Sequence, residues 1–357
     1  MRSPVPGWPA LLPTAMLLCC SHAEESQLAR DDEFSVVPEG ESQARAGALL
    51  SQQGSEEASH IARALTSRGA EPEEPVEHGP SPDAHWSIGA TLTEPLLLTA
   101  LTSAWPPERR KACGMPTFFG RERATGRLTC AIADDVEGPF TEVVAAWDYV
   151  RFDADAPLSE DAVRRNLACV TAWYTTLGRV EIGATPAPAE VAARSRALHG
   201  LRASADIYTA VVLVAPQGRP FPGRDVWDVM MSAGLHWGDM DCFHLRNSSG
   251  IGGDSWFSVE TSTPPGYFFP EEVAAGRMNP EDLVFAFSVP RNADPLATLD
   301  VMVAVVNYAQ RRLGGVVVDA RGQPLDLAAE HARIQSALDR LAAAGLGPGR
   351  DGTLRIF

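Results

Sequence analysis

Residues 235–245 read LHWGDMDCFHL, a run that is typical of a β-strand. Residues 312–345 read RLGGVVVDARGQPLDLAAEHARIQSALDRLAAAG. This second stretch has the pattern of a helix end, a strand, a turn and a further helix. The order and spacing of the two stretches are the most informative feature of the chain, and they indicate a mixed α and β domain.

The residues around these two stretches also show the apolar periodicities of strands and helices. Apolar residues alternate or recur at helical spacing, and Gly234 is placed to end a helix in the left-handed conformation. The predicted strands are 208–215, 235–245, 255–262, 283–289 and 316–319, and the predicted helices are 224–233, 295–313 and 327–344. The glycine-rich residues 247–254 join two strands and open no helix, so they predict a turn. This order predicts an α+β fold in which helices cover one face of an antiparallel sheet and leave the other free.

The first half of the folded region repeats the second half in outline. Residues 177–184, LGRVEIGA, echo residues 313–320, LGGVVVDA, and Pro157-Leu158 matches Pro295-Leu296 before a long helix. These matches predict a duplication, with a degenerate copy at 85–202 and a second copy at 205–345. The alternative, two unrelated α+β units with a common pattern, stays open.

Composition excludes several classes of function. The net charge is −16, with no long basic run in the chain. Nucleic-acid binding needs clustered Lys and Arg, so this charge argues against it. The six cysteines form no CxxC pair, which leaves zinc and redox motifs without support. They are interpreted as small buried hydrophobic residues of a reducing compartment, although paired disulfides stay possible.

The N-terminal 84 residues divide into two segments. Residues 1–23 contain an apolar run that prolines interrupt, and the run is shorter than the ~20 residues of a membrane-spanning helix. It is interpreted as an anchor or a signal segment, with an imperfect lipoprotein box at Cys20. Residues 24–84 are acidic and poor in aromatic residues, so they predict a disordered linker. Residues 346–357 are assigned as a tail.

A set of short motifs points to a known family. The motifs are Gly234, Gly238-Asp239-Met240, Phe257-Ser258, Pro265-Gly266, Val289-Pro290, Gly314-Gly315-Val316-Val317 and Asp319. In this order, over residues 205–345, they resemble the C-terminal domain of the ZipA family of cell-division proteins. The resemblance implies a split β-α-β fold, no catalysis and no cofactor. It further implies an adaptor that binds the C-terminal tail of FtsZ. Such an adaptor tethers the Z-ring to the cytoplasmic side of the inner membrane during septum assembly.

The resemblance also implies which residues contact the FtsZ tail, namely those on the free face of the sheet. They are Tyr208, Ala210, Val212, Asp239, Met240, Cys242, Glu260, Ser262, Val284 and Ala286. The family has an arginine at the position of Gly322, and Arg321 is expected to replace its charge in the contact with the tail. Of the positions on the three later strands, only Asp239 and Met240 are identical to the family. Glu260, Ser262 and Ala286 stand where the family has small or apolar groups, including a methionine and a phenylalanine. The groove is therefore expected to be shallower and more polar, and binding to be micromolar or weaker.

The sequence also allows a metal site and a different partner to be considered for this domain. His236, Asp239, Asp241 and His244 are potential metal ligands, but one continuous strand would hold the histidines about 26 Å apart, which predicts no metal site. The tryptophans at 227, 237 and 256 are expected in the core. The alternative function is an exported or lipid-anchored protein that binds a different peptide or protein. Because FtsZ is cytoplasmic, the compartment separates these two functions.

Overall fold

The computed structural model describes residues 79–103, 105–130, 138–151 and 156–357. The predicted anchor or signal segment and most of the predicted linker lie outside these residues. The described chain forms two antiparallel sheets with helices, one of five strands and one of six strands. The α+β fold class is therefore confirmed.

The first sheet is built by residues 85–182. Its strands are β1 (His85–Leu96), β2 (Thr117–Glu122), β3 (Leu128–Cys130), β4 (Phe140–Asp148) and β5 (Val180–Ile182), in the spatial order β3-β2-β4-β1-β5. The helices of this half are α1 (Leu98–Ser103), α2 (Pro107–Ala112), α3 (Glu160–Tyr174) and α4 (Pro188–Ala205). The Ser159 side chain caps α3 by accepting from the Ala162 amide, which satisfies one of its unpaired N-terminal donors.

The second sheet follows the predicted elements closely. Its strands are β6 (Tyr208–Val214), β7 (His236–Trp237), β8 (Phe243–Arg246), β9 (Ser255–Glu260), β10 (Asp282–Ser288) and β11 (Val316–Asp319), in the spatial order β11-β6-β10-β9-β8-β7. The helices are α5 (Gly223–Ser232), α6 (Pro270–Ala274), α7 (Pro295–Leu313) and α8 (Leu327–Ala343), and α9 (Asp351–Leu354) follows them. The Asp294 side chain caps α7 through the Ala297 amide, and Gly234 has the expected positive φ, at 86°.

Steric crowding explains why glycine is required between α7 and β11. Gly315 has a φ of +92°, and a Cβ there would lie 2.4 Å from the carbonyl oxygen of Val214. Residues that have a side chain rarely adopt this backbone conformation. A Cβ atom at this position would also be too close to the backbone of Val214. The glycine therefore allows β11 to pair with β6 at the edge of the sheet.

The prediction of a single strand at 235–245 was wrong. The chain forms β7, then a 3-10 turn at Asp239–Asp241, and then β8, which pairs antiparallel with β7. Met240 and Asp241 both have a φ of 55°, a left-handed conformation that non-glycine residues seldom adopt. Consequently Asp239, Met240 and Cys242 do not lie on a strand, whereas the predicted hairpin between β8 and β9 is confirmed.

The two faces of the second sheet differ in burial. Val211, Leu213 and Phe285 are completely buried and form cross-strand pairs with one another or with their neighbours. They belong to a core cluster that also contains Leu299, Met302 and other residues of α7. Since successive side chains on a strand point to opposite faces, the residues between them face away from the helices. This confirms that the helices lie on one face.

The two sheets share much of their topology. In each, the last strand pairs with the first strand, which pairs with the strand that precedes the long helix. The two sheets differ in the position of the hairpin. In the first sheet, β4 is next to β2, the first strand of the β2–β3 hairpin. In the second sheet, β10 is next to β9, the second strand of the β8–β9 hairpin. The shared strand pairings agree with a duplication, whereas the different placement of the hairpins does not. The duplication therefore stays a prediction.

One core joins the two halves of the described chain. Ala84, Val150, Leu198 and Leu201 come from the first half, yet they belong to the same cluster as Phe285 in the second half. The guanidinium of Arg340 on α8 also donates to the carbonyl oxygen of Ser204 on α4 at 2.8 Å. The last residues, Ile356 and Phe357, are buried in this cluster as well. Packing therefore crosses the predicted boundary between the two copies.

The cysteines depart from the interpretation as buried thiols. Cys113, which follows α2, and Cys169 on α3 are joined by a disulfide, with their Cα atoms 5.5 Å apart. Cys130 is half-buried and Cys242 is buried, and the other two cysteines lie outside the described residues. A pairing could not be deduced from spacing, because the two residues are brought together only by tertiary structure.

A buried tyrosine connects α3 to the first sheet and gives a testable prediction. The Tyr174 hydroxyl accepts from the Ala145 amide at 3.0 Å and donates to the Ile88 carbonyl oxygen at 2.8 Å. Burial raises the pKa of Tyr174, so the hydroxyl stays protonated and able to donate. Tyr174→Phe leaves both backbone groups without this partner, and we expect a loss of about 1–3 kcal/mol in the free energy of unfolding.

Chemical denaturation of the full chain measures this loss. Tyr267→Phe is the matched control, because Tyr267 is 37% exposed and its removal is expected to change stability by less than about 0.5 kcal/mol. Equal stability of the two variants would contradict a structural role for the Tyr174 hydroxyl.

Candidate functional site

The helix-free face of the second sheet, here called the open face, carries two rows of neighbouring side chains. The first row runs Val318, Val212, Val284 and Glu260, across β11, β6, β10 and β9. The second row runs Ala210, Ala286, Ser258, His244 and His236, across β6, β10, β9, β8 and β7. Directly opposed side chains on adjacent strands lie within contact distance, so each row is a continuous strip.

The middle of the open face is apolar and shallow. Val212 is 3% exposed and Val284 is 6% exposed, yet neither belongs to the core cluster. Ala210 and Ala286 are half-buried, and short side chains there leave room above the sheet. Val316 on the edge strand is 61% exposed. The exposed apolar surface of this face therefore lies at Val316 and around the half-buried alanines rather than on Val212 and Val284.

The turn between β7 and β8 presents a methionine beside this strip. Met240 is 41% exposed, and its carbonyl oxygen accepts from the buried Cys242 thiol at 3.3 Å. The preceding carbonyl, of Asp239, accepts from Nε2 of His244 at 2.8 Å. Because His244 lies in the second row of the open face, this bond holds the turn against the face. Met240 is therefore displayed by a fixed backbone.

The two histidines are much closer than a continuous strand would place them. The ring centroids of His236 and His244 are 5.6 Å apart, so the spacing argument against a shared ligand was wrong. The Nδ1 atom of His244 is 2.8 Å from the Ser258 hydroxyl, and with Nε2 bound to the Asp239 carbonyl both of its nitrogens are engaged. Burial first, and then the charges of Arg246 and His244, lower the pKa of His236 to about 4. Among the described residues, no group of three or more His, Cys, Asp or Glu side chains is arranged to hold a metal ion.

Carboxylates occupy one end of the first row. Glu260 is directly opposite Val284, and Ser262 lies just beyond the end of β9 rather than on it as predicted. The Asp282 carboxylate accepts from the Ser262 amide at 2.7 Å, from the Thr261 hydroxyl at 3.0 Å and from the Ser262 hydroxyl. Burial, together with the charge of Asp282, raises the pKa of Glu260. This end of the face is polar, as the sequence predicted.

The remaining predicted residues lie at the margins. Tyr208 begins β6 and pairs with Ser288. Arg321 is exposed in the turn after β11, where the Asp319 carboxylate accepts from its backbone amide at 2.8 Å. The structure thus brings Ala210, Val212, Val284, Ala286 and Glu260 together, with Met240 at one side and Arg321 at the other edge. Sequence reasoning missed Val316, Val318, Ser258 and His244, although alternation along each strand was a signal that could have found them.

Comparison with known proteins supports the resemblance stated above. Residues 208–335 match the family model described as ZipA, C-terminal FtsZ-binding domain. The protein named Cell division protein ZipA from Marinobacter nauticus is 28% identical over 109 residues, which is 30% of this chain and 32% of that protein. The proteins of the same name from Shewanella loihica and Ectopseudomonas mendocina are 27% and 29% identical over 107 residues, or 31% and 38% of their own lengths.

The likeness covers only part of each protein. The chain spans about a third of the length of these curated relatives. The matched residues, however, include all six strands of the second sheet and therefore the whole open face. Residues 208–335 are thus similar to the ZipA C-terminal FtsZ-binding domain over the whole of the second sheet.

Proposed function

We propose that this protein is a cell-division adaptor that binds the C-terminal tail of FtsZ on its open face. The observation that carries the proposal is the coincidence of the family match at 208–335 with an apolar strip on the helix-free side of the sheet. The proposed mechanism is binding without bond chemistry. The tail packs its apolar side chains on Met240, Ala210 and Ala286, beside the buried Val212 and Val284, while main-chain and polar groups set its register.

The depth of the open face sets the expected affinity. Ala210 and Ala286 offer a bound peptide less apolar surface than a larger side chain would. Burying one large apolar side chain contributes roughly 1.5–3 kcal/mol to the free energy of binding. Binding in the micromolar range or weaker is therefore expected. In the proposed role, the N-terminal segment tethers the Z-ring to the inner membrane, and many weak linked contacts add up to firm attachment. Among the described residues, no helix combines the length and apolarity needed to cross a membrane.

Calorimetry with the full chain and a synthetic C-terminal tail of the host's FtsZ tests the proposal. We expect a micromolar dissociation constant, and we expect Met240→Ala to weaken binding roughly 3- to 10-fold because it removes an exposed apolar contact. Met115→Ala is a matched control, since Met115 is similarly exposed, at 47%, and also has a positive φ. It follows α2 in the first half and should leave binding unchanged.

Two results would count against the proposal. One is the absence of heat and of a thermal shift at millimolar tail concentration. The other is an equal loss of affinity in the Met240 and Met115 variants, which would indicate a general effect on folding rather than a contact at the open face.

The disulfide favours a second candidate function. Disulfides persist in oxidising compartments and are rare in the cytosol, and Cys113 is bonded to Cys169. An exported or lipid-anchored protein with the same open face would meet a different peptide or protein, because FtsZ is cytoplasmic.

Trapping the thiols in living cells separates the two candidates. Cells are quenched in acid, alkylated with a polymer-linked maleimide and compared with a Cys113→Ser/Cys169→Ser variant. Reduced Cys113 and Cys169, together with a midcell position of the protein, are expected for the FtsZ adaptor. Oxidised cysteines in an exported fraction would reject FtsZ binding and support the second candidate.

A further inference from the structure

Glu260 lies at the polar end of the first row of the open face, directly opposite Val284, and it has no cationic partner among the described residues. Among the described residues, no Lys, Arg or His side chain forms an ion pair with it, and no donor forms a hydrogen bond with its carboxylate. It is half-buried, so solvent only partly compensates its charge. A half-buried charge with no partner is costly unless something else supplies the partner.

The neighbours of Glu260 increase this cost. Val284 is directly across from it on β10, and Val212 continues the same row. The other charged group nearby is Asp282, a carboxylate of the same sign. Both resolved influences on Glu260, burial and the charge of Asp282, raise its pKa. Neither of these influences, which come from the described part of the chain, stabilises the ionised form.

The polar side chains near Glu260 already form hydrogen bonds with other groups, so the Glu260 carboxylate is the acceptor available to a ligand. The Asp282 carboxylate is 2% exposed and accepts from Thr261 and Ser262. The Ser258 hydroxyl, in the adjacent row, is bonded to His244. A bound peptide therefore meets one unpaired negative group beside an apolar strip.

We propose that Glu260 determines which peptides the open face accepts, by selecting a sequence that places one Lys or Arg side chain between apolar side chains. The proposal rests on the proposed function of the open face as a peptide-binding surface. A basic side chain would pair with the carboxylate and lay its aliphatic stem along Val284 and Val212. An apolar or acidic side chain in the same place would bury the charge without a partner, which disfavours it.

Selection from a random peptide library tests this preference without assuming FtsZ. The full chain and its Glu260→Gln variant are each used to select from a library of displayed extended peptides. We expect the unaltered chain to enrich peptides with a single Lys or Arg flanked by apolar residues. The variant keeps the shape of the side chain but lacks the charge, so it should enrich apolar peptides without the basic residue.

Asp339→Asn provides the matched control, because Asp339 is exposed on α8 and the substitution removes the same charge far from the open face. It should select the same peptides as the unaltered chain. Equal enrichment of Lys and Arg by the unaltered chain and the Glu260→Gln variant would overturn the proposal, as would the absence of any basic residue from the selected peptides.

A double-mutant cycle with the host's FtsZ tail keeps the two proposals distinguishable. Each Lys or Arg of the tail is replaced in turn by norleucine, and binding to the full chain and to Glu260→Gln is measured. We expect one basic residue whose replacement weakens binding roughly tenfold to the unaltered chain and not to the variant. If the tail binds but every replacement affects both chains equally, the role of Glu260 fails while the proposed function stands. If the unaltered chain binds selected basic peptides but no FtsZ tail, the proposed function fails while the role of Glu260 stands.

Discussion

Ala286→Arg is expected to reduce binding of the FtsZ tail by at least ~100-fold while leaving the fold intact. Ala286 lies in the middle of β10, between Ala210 on β6 and Ser258 on β9. It is half-buried and faces away from the helices, so a longer side chain extends over the open face rather than into the core. It would cover the strip formed by Val212 and Val284.

The new guanidinium would also reach Glu260, which is the diagonal neighbour of residue 286 across the β9–β10 pair. The substitution therefore blocks the apolar strip and neutralises its unpaired charge. Calorimetry with the tail measures the loss, and thermal denaturation checks the fold. Ala332→Arg, at an exposed position of α8, is the matched control and should bind normally. Tail binding within threefold of normal by the Ala286 variant would show that the tail lies elsewhere.

Loss of the disulfide is expected to have the largest effect on stability. The bond closes a segment of 56 residues between Cys113 and Cys169, and the loss of chain entropy in the unfolded state corresponds to an upper value of about 4 kcal/mol for a loop of that length. We expect the Cys113→Ser/Cys169→Ser variant to unfold at clearly lower denaturant concentration than the oxidised chain. Because the bond lies in the first half, the open face keeps its own strand pairs.

Two controls make this prediction specific. Cys130→Ser alters a half-buried cysteine outside the Cys113–Cys169 bond and should change stability by less than about 1 kcal/mol. A reducing agent should destabilise the unaltered chain and have no further effect on the double variant. Equal stability of the reduced and oxidised chains would mean that the covalent link contributes nothing to the fold.

The periodic elements could be predicted because local sequence and packing agree in them. The helix at 295–313 has an Asp cap, a proline at its first position and a Gly after its last residue, and its bounds were predicted correctly. The alternation of Tyr208, Ala210 and Val212 against Val211 and Leu213 likewise assigned the two faces of β6 correctly. In both cases short-range signals coincide with burial.

The features that could not be predicted depend on contacts distant in sequence or on unusual backbone. The left-handed φ of Met240 and Asp241 has no glycine to signal it, so the break in 235–245 and the approach of the two histidines were missed. The Cys113–Cys169 pairing depends on the packing of α3 against the end of α2. The unpaired state of Glu260 likewise follows only from knowing every neighbour on the sheet.

The common core of the two halves has a mechanical consequence. Ala84 is buried in that core, and the adjacent Asp83 packs against the backbone of Gly352 beside the C-terminal helix. We expect a force applied to the chain just before β1 to act directly on the second sheet, which carries the open face, through these contacts. We therefore expect the first sheet to lie outside the path of such a force. If the protein has the proposed adaptor function, we expect a load on the open face to leave the first sheet folded.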